Sequence, residues 1–392
     1  MTSKRGLLLP AIFIIILILI ALAANFSQVT GAFTLSGNSG HANAQEKTIK
    51  VGAILMLTGE GAAIGQEMQR GIELMVREIN VDKNSKFKVQ VIYEDSGFID
   101  NQKIVSAAQK LIYVDNVDLV IADTTEVIRP IKYTLEQTNT PAIVVWDSTN
   151  EMNSSKNIFS TGFSVEKTGE IMADFFKNKL GVKTLAIVSH EDTWAELVSD
   201  SLRKKFEQEG GKVLMQEKVP VEETDFKTII SKVNESGAEG LAHIFIPTNS
   251  VVLFFKQTKQ MGFQAKTLTA DFTFYKSMLG DAEDSMEGVY FTNLYITNNP
   301  LLEKINQDYI KQYREEPVMA EFFSFGYDGM RVFDEALKTT TDFSKQGIID
   351  ALGKIENFPL AGGGEITLTK GMQKNRVEDV FVIKNGKAVP AE

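Results

Sequence analysis

Apolar residues in this chain fall into two alternating patterns, and the stretch from Ile49 to Asn80 shows both. Ile49, Val51, Ala53, Ile54 and Leu55 form a short run ending at Thr58-Gly59, as a strand covered on both faces would. Met68, Ile72, Met75 and Ile79 then recur every three or four residues among Gln66, Glu67, Arg70, Glu73 and Arg77, which predicts a helix with one stripe toward a core. The turn between them lies at the carboxyl end of a strand. Open α/β sheets bind ligands there, because loop backbone and helix N-termini leave N–H groups free.

The alternation continues along the chain. Strands are predicted at Val89–Tyr93, Asp118–Ala122 and Ala142–Trp146, with a helix around Ile104, Leu111 and Ile112, a further helix opened by Asp123–Glu126, and polar stretches at Glu94–Gly97 and Asp147–Glu151. Ile158–Gly162 reads as a crossing into a second series. That series is helix Lys167–Lys179, strand Thr184–Val188, helix Thr193–Gln208, strand Lys212–Met215, helix Asp225–Ser236, strand Leu241–Ile246, helix Ser250–Met261 and strand Thr267–Ala270. Val289–Thr292 is expected to cross back, and helices Pro300–Glu315 and Phe322–Thr339 to complete the first series. Glu365–Thr369 and Val380–Lys384 are expected to close as a pair of strands around Lys370–Asn375.

This order predicts an α/β protein of two doubly wound parallel-sheet lobes with a ligand cleft between them. Lobe 1 would comprise residues 47–162 plus 291–360, and lobe 2 residues 163–290 plus 361–392 with the closing strands. A chain that crosses about three times makes a hinge of several strands, so the lobes can close on a ligand without unfolding.

Ahead of the lobes, Leu7 to Ala24 is apolar throughout and follows Lys4 and Arg5, which orients the start of the chain to the cytoplasm and the rest outside. The run is long for a signal-peptide core and just long enough to span a bilayer, and Ala21-Leu22-Ala23 offers a small-residue cleavage site. Residues 1–24 are therefore read as a signal peptide or a membrane anchor, with both outcomes open. Residues 25–46, rich in Ser, Gly, Asn and Thr, read as a flexible linker.

Composition narrows the functional classes. Lys plus Arg number 41 against 51 Asp plus Glu, a formal charge of -10 with no long basic run after Lys4-Arg5, which argues against nucleic acid as a partner. Cysteine is absent, excluding disulfides, thiolate metal sites, Cys nucleophiles and a lipid-modified N-terminal Cys. The histidines His41, His190 and His243 lie in a linker, a loop and a strand, and no H-E-x-x-H, G-x-S-x-G or P-loop pattern occurs. No catalytic residue, metal or cofactor is expected. Gly59-x-Gly61-x-x-x-Gly65 suggests a dinucleotide fingerprint, and with it a nicotinamide-dependent oxidoreductase. Its spacing is one residue longer than G-x-G-x-x-G, however, and the next acidic strand end, Glu94-Asp95, comes late.

The stretch Ile49 to Asn80, and the order of everything after it, resembles the leucine/isoleucine/valine-binding family, the type I periplasmic substrate-binding proteins of branched-chain amino acid ABC transporters. The similarity runs from about Ile49 to the C-terminus. It implies an extracytoplasmic protein, not an enzyme, that captures a small polar solute, an amino acid first among them. The solute would be delivered to the membrane permease of an ABC importer; a ligand sensor acting on a receptor is the alternative role for the same fold.

The resemblance also implies site residues. Thr124 and Thr125 match the family's hydroxyl pair ahead of a helix, and Ser148 and Thr149 its second hydroxyl loop, which in relatives hold an α-carboxylate. Asp123 to Glu126 and Ser148 to Glu151 equally have capping-box spacing, so helix capping alone accounts for them too. Trp194 would take the aromatic place in lobe 2, and Thr248 ends a strand in position for contact. Asp271 matches the acid that pairs with the ligand's ammonium. Ile64 stands where relatives commonly have an aromatic residue, and Asp147 beside the second hydroxyl loop would repel a carboxylate, so a reshaped pocket is expected.

Overall fold

The computed structural model describes residues 47–59, 61–98, 100–246, 249–270, 283–294, 299–371, 374–376 and 378–391. The apolar run Leu7–Ala24 lies outside them; among the described residues no helix is long and apolar enough to cross a membrane.

Strand β1 (Lys47–Leu55) is the axis of the first sheet. Side chains alternate across a strand, so Ile49, Val51, Ala53 and Leu55 enter one hydrophobic core while Ile54 enters another on the opposite face. The expected helix follows as α1 (Ala62–Val81), with Met68, Ile72, Met75 and Ile79 buried in the first of these cores. The series goes on through β2 (Phe87–Asp95), α2 (Asn101–Gln109), β3 (Leu119–Ala122), α3 (Thr125–Ile128), α4 (Lys132–Gln137), β4 (Ala142–Val144), β5 (Asp147–Ser148), α5 (Asn150–Asn153) and β6 (Ile158–Ser160). The sheet order is β2-β1-β3-β4-β6, all neighbours parallel, which brings every carboxyl end to one edge.

The chain leaves this sheet at β7 (Phe163–Ser164), which pairs in parallel with β5. A second series follows: α6 (Val165–Asp174), β8 (Thr184–His190), α7 (Thr193–Gln208), β9 (Lys212–Val219), α8 (Lys227–Ser236), β10 (Gly240–Ile244), α9 (Asn249–Gln260), β11 (Lys266–Thr269) and β12 (Tyr290–Asn293). Helices α10 (Pro300–Tyr313), α11 (Ala320–Thr339) and α12 (Lys345–Leu352) then return to the first core. The chain ends with β13 (Phe358–Pro359), β14 (Glu365–Ile366), β15 (Asp379–Lys384) and β16 (Lys387–Pro390). The second sheet has the order β16-β15-β12-β11-β10-β8-β9, parallel from β9 through β12 and antiparallel at β15 and β16. The molecule is therefore the expected doubly wound α/β pair.

Two details differ from the sequence reading. The strands around Lys370–Asn375 do not pair with each other: β14 pairs with β13, and β15 lies between β12 and β16. The hairpin of β15 and β16 is made by Asn385-Gly386, both at positive φ (53° and 67°), the backbone that a tight two-residue turn requires. The first core also extends past residue 360, through Ala361, Ile366 and Leu368, while β12 belongs to the second sheet up to Asn293.

Candidate functional site

At the carboxyl edge of the first sheet, acidic side chains take up the N–H groups that strand ends leave unpaired. Asp95 Oδ1 accepts from the N–H groups of Leu57, Thr58 and Gly97 at 3.0, 3.1 and 2.9 Å, and its Oδ2 from the Thr58 hydroxyl at 2.5 Å. Burial opposes the charge of Asp95, but these donors and Lys103 hold the carboxyl down at about 2. The glycine-rich turn is thus drawn onto a carboxylate, an arrangement that repels a phosphate and disfavours the dinucleotide reading.

Asp123 Oδ2 accepts from the Met56 N–H at 2.7 Å and its Oδ1 from the Thr124 N–H at 2.8 Å. Asp147 Oδ1 accepts from the Thr125 N–H at 2.6 Å and its Oδ2 from the Thr125 hydroxyl at 3.0 Å. Burial pushes both carboxyls up to about 7. Negative neighbours add to it: Asp95 beside Asp123, and Glu126 and Asp123 beside Asp147.

These bonds sort the expected hydroxyls. Thr125 is committed to Asp147. Ser148 donates to Asn153 Oδ1 at 2.6 Å, and Thr149 Oγ1 accepts from the Met152 N–H at 3.2 Å, capping α5. Thr124 differs. It is 7% exposed and extended at the start of α3 (φ −128°), yet its hydroxyl neither caps the helix nor has another partner among the described residues.

The remaining expected residues lie elsewhere. Ile64 is half-buried in the first turn of α1, packed on the first core. Trp194 is in the first turn of α7 and belongs to a core of the second sheet with Val165, Met172 and Val198. Thr248 and Asp271 lie outside the described residues.

The structure adds residues that the spacing alone did not single out. The Trp146 backbone N–H donates to the Asp123 carbonyl at 2.9 Å, and its side chain enters the first core. The ring is buried edge-on against Phe322 with centroids 4.7 Å apart, and its N–H has no acceptor among the described residues. From the second sheet, Asp192 Oδ1 caps α7 by accepting from the Ala195 N–H at 2.9 Å, while Oδ2 is buried and unpartnered among the described residues. Burial pushes Asp192 up to about 6, and the Glu126 charge adds to it. Glu126 opens α3 in the first series, so strand-end loops of the two sheets lie within electrostatic reach of each other. The Glu126 charge is shared by Arg129, 3.3 Å away, which also pairs with Glu151 at 2.7 Å. A sequence signal for this edge existed: an acid follows strand after strand, at Asp95, Asp123, Asp147 and Asp192.

The buried histidines serve the fold. His190 Nδ1 accepts from the Ile246 N–H at 3.0 Å, its Nε2 lies 3.2 Å from Ser250 Oγ, and the ring stacks on Phe245. Burial pushes it down to about 4, so it stays neutral. His243 Nδ1 lies 2.9 Å from Thr269 Oγ1, inside a cluster with Phe245, Phe254 and Phe255. Among the described residues no group of acidic or histidine side chains could hold a metal ion.

Two wound sheets, crossed several times by the chain and meeting at their strand-end loops, define a two-lobed solute-binding protein. The chain belongs to the periplasmic binding protein family, whose model matches residues 48–387, the family of the leucine/isoleucine/valine-binding proteins. Leu/Ile/Val-binding protein homolog 6 of Brucella suis biovar 1 (strain 1330) is 24% identical over 322 residues, 79% of each chain. Among solved structures, a leucine-binding protein of Thermotoga maritima superposes with a TM-score of 0.76 at 22% identity, covering 88% of this chain and 98% of that one. The branched-chain amino acid substrate-binding protein of Streptococcus pneumoniae in complex with isoleucine gives 0.74 at 20%, covering 88% and 99%. A solute-binding protein of Rhodopseudomonas palustris in complex with 4-hydroxybenzoate also gives 0.74, at 22%, covering 88% and 96%.

Proposed function

We propose that this protein works outside the cytoplasm, where it captures a small polar solute carrying an amino nitrogen, an amino acid or a close derivative, and delivers it unchanged to the permease of an ABC importer. Family membership supports the carrier role. The observation that carries the choice of solute is the edge itself: acidic side chains at Asp123, Asp147 and Asp192, beside a Thr124 hydroxyl that has no partner among the described residues. Such a lining attracts an ammonium group and repels acids of the hydroxybenzoate kind. Chemistry on the solute is not part of this reading. A sensor passing the same closure to a receptor would use the same site, and co-purification with a permease would separate the roles.

In this reading Leu7–Ala24 holds the protein at the membrane, with residues 25–46 as a tether. Retention in the membrane fraction after a high-salt wash is expected, because a spanning helix is not held by screened charges. A soluble mature chain starting near Ala24 would show cleavage instead. The binding role is tested by a thermal-shift screen of the full-length protein against amino acids, amides, amines and carboxylic acids. A solute at about a hundred times its Kd adds about 2.7 kcal/mol. Absence of any shift across the whole panel would overturn it.

A further inference from the structure

We infer that the site selects a cation without a free carboxylate: an organic amine, or an amino acid whose carboxyl is masked as an amide or ester. The inference rests on the solute-binding reading and narrows its ligand class. Its first support is what occupies the start of α3. The Thr125 N–H and hydroxyl are the donors that an incoming carboxylate would seek there, and Asp147 holds both, at 2.6 and 3.0 Å. A second carboxylate would have to evict Asp147 from a fully enclosed position or lie against it. Once Asp147 is charged, like charges in such a place strongly disfavour each other, so the comparison belongs at or above about pH 8.

The second support is independent of the acids. Thr124, between Asp123 and Thr125 in the chain, keeps a hydroxyl that is over nine-tenths buried and unpartnered among the described residues. A buried hydroxyl left unbonded is costly, so a polar group of the solute is expected to meet it, and its oxygen can accept from an ammonium or amide N–H. Asp192 adds an unpartnered carboxylate oxygen from the other sheet, in electrostatic reach of Glu126. Arg129 offsets part of this charge, but its guanidinium is already engaged by Glu126 and Glu151, which leaves Asp123, Asp147 and Asp192 without a cation among the described residues. An ammonium that enters supplies the missing charge.

The test is calorimetry on the full-length protein with matched probes for glycine, leucine and phenylalanine: the free amino acid, its amide, the decarboxylated amine and the N-acetyl acid. The amide or the amine should bind at least about tenfold tighter than the parent amino acid, and the N-acetyl acid should not bind. Asp147→Asn keeps an oxygen for the Thr125 N–H and removes the charge, so it should weaken the amide about tenfold and narrow the gap to the amino acid. If that variant does not fold, Glu126→Gln, on a partly exposed side chain, gives the same readout. A free amino acid or acetylated acid binding as tightly as the amide would overturn the cation assignment and leave the solute-binding role standing. Failure of every solute, of any charge, would remove both.

Discussion

The guanidinium of Arg376 lies 2.7 Å from the carboxylate of Asp328, with the two side chains 1% and 0% exposed. Asp328 also accepts from the N–H groups of Ala361 and Gly362 at 2.7 and 2.9 Å, and Arg376 lies over the Phe325 ring. Arg376 bridges in parallel to Phe163, so this one pair joins α11 to two of the segments that pass between the sheets. Breaking a buried pair leaves a charge without compensation, at about 3–5 kcal/mol. Arg376→Met is therefore expected to lower unfolding stability by about that amount, and chemical denaturation would measure it; a change under about 1 kcal/mol would show the pair to be dispensable.

A close crossing of α1 and α11 depends on glycine. A Cβ on Gly71 would overlap the Phe323 carbonyl, and one on Gly326 would overlap the Met68 carbonyl. Backbone atoms cannot rotate aside, so the helices would have to separate. Gly71→Ala and Gly326→Ala are each expected to cost about 1–3 kcal/mol, the usual penalty of overpacking, despite alanine's better helix propensity. Thermal unfolding of the two variants tests this, and a gain in Tm would refute it.

The unspent hydroxyl of Thr124 has an opposite signature in stability and in binding. Thr124→Val keeps the shape and removes a buried group that has no partner among the described residues, so the protein without added solute should be at least as stable as the wild type. A solute that uses the hydroxyl should lose about 1 kcal/mol, about fivefold in affinity. Paired melting and titration measurements check both halves.

The carboxyl of Asp147 is pushed up to about 7 by burial, with Glu126 and Asp123 adding to the effect. Between the ordinary carboxylate range and that value the folded protein binds more protons than the unfolded chain. Its contribution to stability is therefore full below about pH 4 and lost as pH rises through about 7. His190, held neutral at about 4, acts in the opposite direction at lower pH, so the wild-type profile alone does not isolate the carboxyl. The difference between Asp147→Asn and wild type does: the variant should gain in relative Tm between about pH 5 and about pH 8. Binding of a cationic amide should strengthen over the same interval, since the carboxylates that attract it become charged.

Periodicity alone revealed the βα series, because strand and helix burial impose repeats of two and 3.6 residues that need no partner to be read. The helix Thr193–Gln208 was legible to the residue, since Asp192 caps it and a polar turn ends it. The pairing of β15 with β16 was also written locally, in Asn385-Gly386, although the alternating run at Glu365–Thr369 drew attention away from it. What residue order cannot show is which hydroxyl is spent. Ser148, Thr149, Thr124 and Thr125 all stand at helix starts, and four similar side chains in similar local positions look alike along the chain. Only the packing of β4 beside β3 brings Asp147, 22 residues away, onto Thr125 and leaves Thr124 without a partner among the described residues. Sequence thus determined the architecture, through short-range burial patterns. Tertiary structure decided the charge of the site, because hydrogen bonds between strand ends depend on sheet order and register, which bring distant residues into contact.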